Sequence, residues 1–281
     1  MAIANFIPEI WSANLLAPLQ KSYVFAPLAN RNYEGEVSQQ GDTVHITSLG
    51  GVKVGDYTPH TDIEVEALTD TDTVLAIDQA KYFAFEADDI EKRQAAGDFM
   101  NQSMTDAANA LADVSDTFLA SLMATNAGTK LPAVTSDDPA AAYKALVGLR
   151  TALDKNNVPT QGRWVVVSPD VYAELLLDPR FVNASDSAHT VLLNGVVGQA
   201  AGFQVSMSNN LPTADSAQTL IAGSTLATTY AEQISNVEAT RKERGFADIV
   251  KGLHVYGAKV TRPTALATVD YTVADPAAPA A

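Results

Sequence analysis

Gly202 to Pro212 reads GFQVSMSNNLP, and Val237 to Pro263 reads VEATRKERGFADIVKGLHVYGAKVTRP. Phe203 to Met207 is a strand candidate that runs into an Asn209-Asn210-Leu211-Pro212 turn. Around the second stretch, Glu232 to Arg241 and Leu253 to Arg262 read as strands, and Arg241, Lys242 and Arg244 between them form the densest basic cluster of the chain. Each piece is common in isolation. Their order carries the information: a Gly-aromatic-x-Val strand, a turn, a segment led by Phe246, a Val-Tyr-Gly strand, then Arg262-Pro263.

The whole chain of 281 residues, 47% of them hydrophobic, allows one large domain or two modest ones with a packed core. Eighteen basic against 33 acidic residues give a formal net charge of -15, which repels polyphosphate and argues against a nucleic-acid binder. Cysteine is absent, so disulfides, thiol catalysis and Cys-ligated zinc are excluded. The first residues, MAIANFIPEIWSANLL, lack the positive start of a signal peptide, and no run approaches the roughly 18 apolar residues of a membrane span.

Outward from the deciding stretch, the hydrophobic period divides the chain. Pro8 to Ser22 reads as a short amphipathic helix with Ile10, Trp11, Leu15 and Leu19 on one face, which either docks on its own core or reaches a neighbour. From Gly41 the period becomes two, through Thr43 to Thr47, the alternating Asp62-Ile63-Glu64-Val65-Glu66 and Thr73 to Phe85: a long two-stranded arm. Asp56 to Glu91 holds eleven carboxylates and one basic residue, Lys81, so the arm is either a solvated edge or meets something positive. Phe99, Met104, Ala107, Ala108, Leu111, Val114, Phe118, Leu119, Leu122 and Met123 then fall on one helical stripe, and Asp98 to Asn126 spans roughly 40 Å. Asp138-Pro139 reads as the N-cap pair of a helix through Leu153, with Tyr143, Leu146, Val147 and Leu153 inward. Trp164 to Val167 is a buried-strand run, Ser168-Pro169-Asp170 opens a helix ending before Asp178, Phe181 to Thr190 is a loop, and Thr219 to Ala222 is a strand.

Catalytic constellations are missing. His45, His60, His189 and His254 show no metal spacing and read as surface or strand residues. Gly50-Gly51-Val52-Lys53 lacks the spacing of a phosphate loop, and Ser168 lacks the flanking glycines of a nucleophile elbow. No cofactor and no metal is expected.

The order of pieces resembles the major capsid proteins of tailed bacteriophages of the Hong Kong 97 type, and the resemblance runs from about Pro8 to Asp270. It implies an α+β fold: an N-terminal arm at 1–40, an extended hairpin loop at 41–88, a peripheral domain with a spine helix at 89–134, an axial domain at 135–225, a peripheral return at 226–255, and an axial closing strand with C-terminal tail at 256–281. The implied function is a non-enzymatic shell, built of hexamers and pentamers, that encloses double-stranded DNA without sequence-specific binding. Scaffolding, portal and decoration proteins are the implied partners, with assembly in the host cytoplasm, no membrane, and the virion as destination. A separate scaffolding protein, or assembly without one, is expected because the arm starts almost at Met1. In the family the arm and the hairpin reach neighbouring subunits, so Trp11, Lys53, Asp56, Asp62, Glu64 and Glu66 are candidate intersubunit contacts, with Arg241, Lys242 and Arg244 as the basic counterpart. A cross-link of Lys53 to Asn236 with Glu238 as base has no recognisable motif here. The rivals are an encapsulin-type nanocompartment shell and a soluble α/β binding domain or enzyme.

Overall fold

A computed structural model describes residues 24–33, 43–49, 70–88, 99–138, 140–178, 198–214, 216–242 and 245–273. Strands β1 (Thr43–Leu49) and β2 (Asp70–Ala76) pair antiparallel as a two-stranded ladder. After a two-residue break, β3 (Gln79–Asp88) joins a different sheet. Helix α1 (Phe99–Thr125) follows, then β4 (Thr129–Thr135), α2 (Ala141–Lys155), β5 (Arg163–Val167) and α3 (Pro169–Leu177). The remaining strands are β6 (Gln199–Ala200), β7 (Phe203–Met207), β8 (Thr213–Ala214), β9 (Ala217–Ser224), β10 (Thr228–Arg241), β11 (Ala247–Val260) and β12 (Leu266–Thr272).

The smaller sheet is antiparallel in the order β10-β11-β3. Because side chains alternate across a strand, its register puts Tyr230, Val237, Val250, Tyr256, Phe83 and Phe85 on one face. That face receives α1, whose Met104, Ala108, Leu111, Ala112, Leu119, Ala120 and Met123 are buried at helical spacing. Phe118 meets Tyr256 edge to face at 5.5 Å between ring centroids. Each large apolar side chain sealed in this way contributes about 1.5–3 kcal/mol. Val114, expected on the stripe, is exposed, and Ser115 and Asp116 are buried beside it.

The opposite face of the small sheet seats the base of the β1-β2 ladder. Val44, Ile46, Leu75 and Ile77 close over Ala231 and Val255 in a separate apolar cluster. Gly257 makes the crossing possible, since a Cβ there would lie 2.3 Å from the carbonyl oxygen of Ala76.

The larger sheet runs β4-β12-β9-β5-β7-β6, with β8 on β9. Its centre is β5, all five residues buried, which pairs antiparallel with β9 and parallel with β7. Leu146, Leu149 and Leu153 of α2 and Val171 and Leu175 of α3 complete the core. Arg163 is buried at the start of β5 because Asp154 neutralises it at 2.6 Å and the Val158 and Pro159 carbonyls accept its other N–H groups. Gly202 (φ +81°) turns β6 into β7, which explains the glycine ahead of Phe203 in the deciding stretch.

Several boundaries differ from the sequence reading. Strand β3 lies within the expected hairpin span 41–88, yet it pairs with β11 and not with β1. Strand β4, expected in the peripheral span 89–134, pairs in parallel with β12 on the larger sheet. The expected break at 255/256 falls inside β11, which is continuous from Ala247; the chain changes sheets later, through the turn Pro263–Ala265. Asp138 is not the N-cap of α2: its carboxylate accepts from the Ala140 N–H and pairs with Lys144, and the helix starts at Ala141. Val147 points outward and Leu149 takes the inner position. Ser168 does cap α3, accepting from the Val171 N–H, with Pro169 in the first turn. The helix expected at Pro8 to Ser22, the segment Asp62 to Glu66 and the loop Phe181 to Thr190 lie outside the described residues.

Gly257→Ala should force the hairpin base off the sheet and cost about 1–3 kcal/mol. Gly198→Ala, where a Cβ meets nothing within 4 Å, is the control. Thermal unfolding of the free subunit measures both; equal midpoints would remove the crossing from the account.

Candidate assembly surfaces

A strap of ten residues, 24–33, crosses α1 and β10. Phe25 and Ala26 are fully buried. The Val24 and Phe25 N–H groups donate to the two oxygens of Asp116 at 3.0 and 3.2 Å. Asn30 N–H donates to the Thr228 carbonyl at 2.8 Å, and Tyr230 N–H donates to the Asn30 carbonyl at 3.0 Å, so the strap adds a parallel bridge to β10.

Beneath the strap is a polar cluster that the sequence reading missed. Glu232 accepts from Arg31 at 2.6 Å and from the Tyr230 hydroxyl at 2.9 Å, and His254 Nε2 lies 3.1 Å from it. His254 is a strand residue, as expected, but it is wholly buried and packs against the Tyr256 ring at 4.9 Å. Its Nδ1 and the Tyr256 hydroxyl have no hydrogen-bond partner among the described residues. Burial pushes the Asp116 carboxyl up to about 6; the two N–H groups work against this, and Asp113 and Glu232 add to it. Burial, then Asp78, also raises Tyr256. The available signal was Glu232 and His254 at inward positions of strands, each two residues from an inward tyrosine, Tyr230 or Tyr256.

Arg241 is the last residue of β10 and Lys242 follows it. Arg241 donates to Asp248 at 3.2 Å, and Lys242 donates to Glu86 at 2.7 and 2.8 Å; Asp248 is half-buried and the other three side chains are exposed. Trp11, Lys53, Asp56, Asp62, Glu64, Glu66 and Arg244 lie outside the described residues. Glu238 faces Lys251 across the ladder and pairs with it at 2.9 Å.

Apolar surface remains open on the small sheet. Tyr82 and Phe246 are each 79% exposed. Tyr82, Ala84, Gly252 and Leu253, with the Glu238–Lys251 pair, line a groove of about 390 Å³ beyond the hairpin base. Among the described residues no group of three His, Asp or Glu side chains is placed to hold a metal ion, and no helix is long and apolar enough to cross a membrane.

The family model described as phage capsid protein matches residues 70–269. The solved structure of Mycobacterium phage Che8 is 34% identical, with 88% of this chain and 90% of that one covered at a TM-score of 0.74. The capsid structure of cyanophage P-SCSP1u is 17% identical, covering 90% and 89% at 0.73. The mature capsid of bacteriophage PhiM1 is 17% identical, covering 89% and 87% at 0.69. The latter two likenesses bear on the fold alone. No curated protein matches the chain.

Glu232→Ala removes the acceptor shared by Arg31, Tyr230 and His254 and should cost about 2–3 kcal/mol. Glu238→Ala, on an exposed pair, should change stability by no more than about 1 kcal/mol. Denaturant unfolding of the two variants checks the contrast.

Proposed function

Because the chain belongs to the phage capsid protein family, we propose that it closes an icosahedral shell of hexamers and pentamers around a double-stranded DNA genome. It is a major capsid shell protein with a Hong Kong 97-type fold, it acts as a homo-oligomer in the virion, and it is not an enzyme. The observation that carries this is the order of parts within the matched span, from the hairpin strand β2 through α1 to the closing strand β12. The nanocompartment reading has less support, since the relative that shares a third of the sequence is a phage.

The work of such a protein is assembly. Each contact between copies is modest, but arms that overlap several neighbours make the lattice multivalent, and the sum closes the shell. A net charge of -15 suits an inner wall past which packaged DNA must move without adhering. Portal, scaffolding and decoration proteins are the other partners of this reading, and the host cytoplasm is its assembly site.

Electron microscopy of the expressed protein tests the reading, with closed shells of pentamers and hexamers as the expected outcome. A protein that stays monomeric or dimeric at high concentration, with scaffold supplied, would overturn it.

Within the shell, the acidic hairpin at Asp56, Asp62, Glu64 and Glu66 meets the basic cluster of a neighbour at Arg241, Lys242 and Arg244, with Trp11 and Lys53 as further contacts. Support comes from the scarcity of cations beside those carboxylates. The in-chain pairs of Arg241 and Lys242 are exposed, worth about 0–1 kcal/mol each, and thus open to exchange for a neighbour's carboxylate. Arg241→Glu with Arg244→Glu should block shell formation, and adding Glu64→Lys with Glu66→Lys should partly restore it. No rescue from folded subunits would assign the hairpin another partner.

A further inference from the structure

The strap at 24–33 lies inside the span 1–40 that the shell reading treats as an arm toward neighbours, yet it packs on its own chain, and the inference rests on that reading. Three points hold it: the two N–H groups on Asp116, the bridge from Asn30 to β10, and the Arg31–Glu232 pair. Asp116 is 2% exposed, and the bonds it receives come from neutral backbone groups. The charged groups that act on it are Asp113 on its own helix and Glu232 on β10; Glu232 in turn holds Arg31 of the strap and His254 of β11, and His254 packs on Tyr256.

We propose that the strap is a proton-controlled latch, in which Asp116 positions the root of the N-terminal arm and its ionisation weakens the hold. A protonated carboxyl keeps its carbonyl oxygen for a strap N–H and carries no buried charge. An ionised one accepts both N–H groups but sits dehydrated beside the charges of Asp113 and Glu232, with Arg31 engaged by Glu232. With the strap lifted, the same carboxyl is hydrated on a helix surface and returns to the ordinary value of 3.8, against about 6 with the strap closed. The closed state therefore binds the proton more tightly. Its advantage is complete below 3.8 and is lost as pH rises through about 6.

Hydrogen exchange of the Val24 and Phe25 amides in the full-length free subunit, corrected for intrinsic rates, reads the latch directly. Protection should fall about tenfold between pH 5 and pH 8. Asp116→Asn keeps an acceptor and removes the titration, so its protection should be flat. Glu232→Gln removes one of the charges that raise Asp116, so the midpoint should move to lower pH. A flat wild-type profile, a slope that survives Asp116→Asn, or a midpoint unmoved by Glu232→Gln overturns the proposal. Shells are scored separately by microscopy. Subunits that show the slope but never form shells support the latch and overturn the shell reading; shells from subunits without the slope do the reverse.

Discussion

Around Val255 both faces of β11 are covered, and the arrangement of the small sheet follows from that. Its inward residues Val250, His254 and Tyr256 pack under α1, and its outward Val255 packs under the hairpin base. A strand buried on both sides has no free choice of register, because a slip of one residue would exchange the two contact sets. Ten consecutive pairings with β3 and a long ladder with β10 hold that register. The helix, the hairpin and the strap are therefore each placed by reference to one strand.

The elements with strong periodicity were legible in the sequence. The stripe of α1, the apolar run Trp164 to Val167 of β5 and the Ser168-Pro169 start of α3 each follow from local chemistry, and the structure places them within a residue or two of expectation. Pairing partners were not legible. Thr73 to Phe85 has one strand-like period, and nothing in it announces that the chain leaves one sheet and enters another at Ile77 and Asp78. That event depends on Gly257, some 180 residues later, which lacks the Cβ that would block the crossing. Likewise the strand read from Leu253 begins six residues earlier, at Ala247, with Gly252 inside it. Gly252 is there because Phe83 occupies the space a Cβ would need.

The candidate contacts divide in the same way. Charge clustering pointed to Arg241 and Lys242, and their position at the free end of β10 agrees with a surface role. Composition could not reveal that both already hold carboxylates of their own chain. The buried cluster of Asp116, Glu232 and His254 was hidden for a related reason: three polar residues from three elements are far apart in sequence and become neighbours only once the small sheet has formed.

The break at Ile77 and Asp78 gives the hairpin a mechanical character distinct from the body. Ile77 is fully buried and fixes the root of the ladder, which is held to the body by a few apolar side chains around Val44, Ile46 and Leu75. Seven residues of strand span about 23 Å, so a rotation of about 10° at that root displaces the far end by about 4 Å. A rotation of that size would move the far end of the ladder well beyond any shift at its root, so small differences at Ile77 are magnified along the strands.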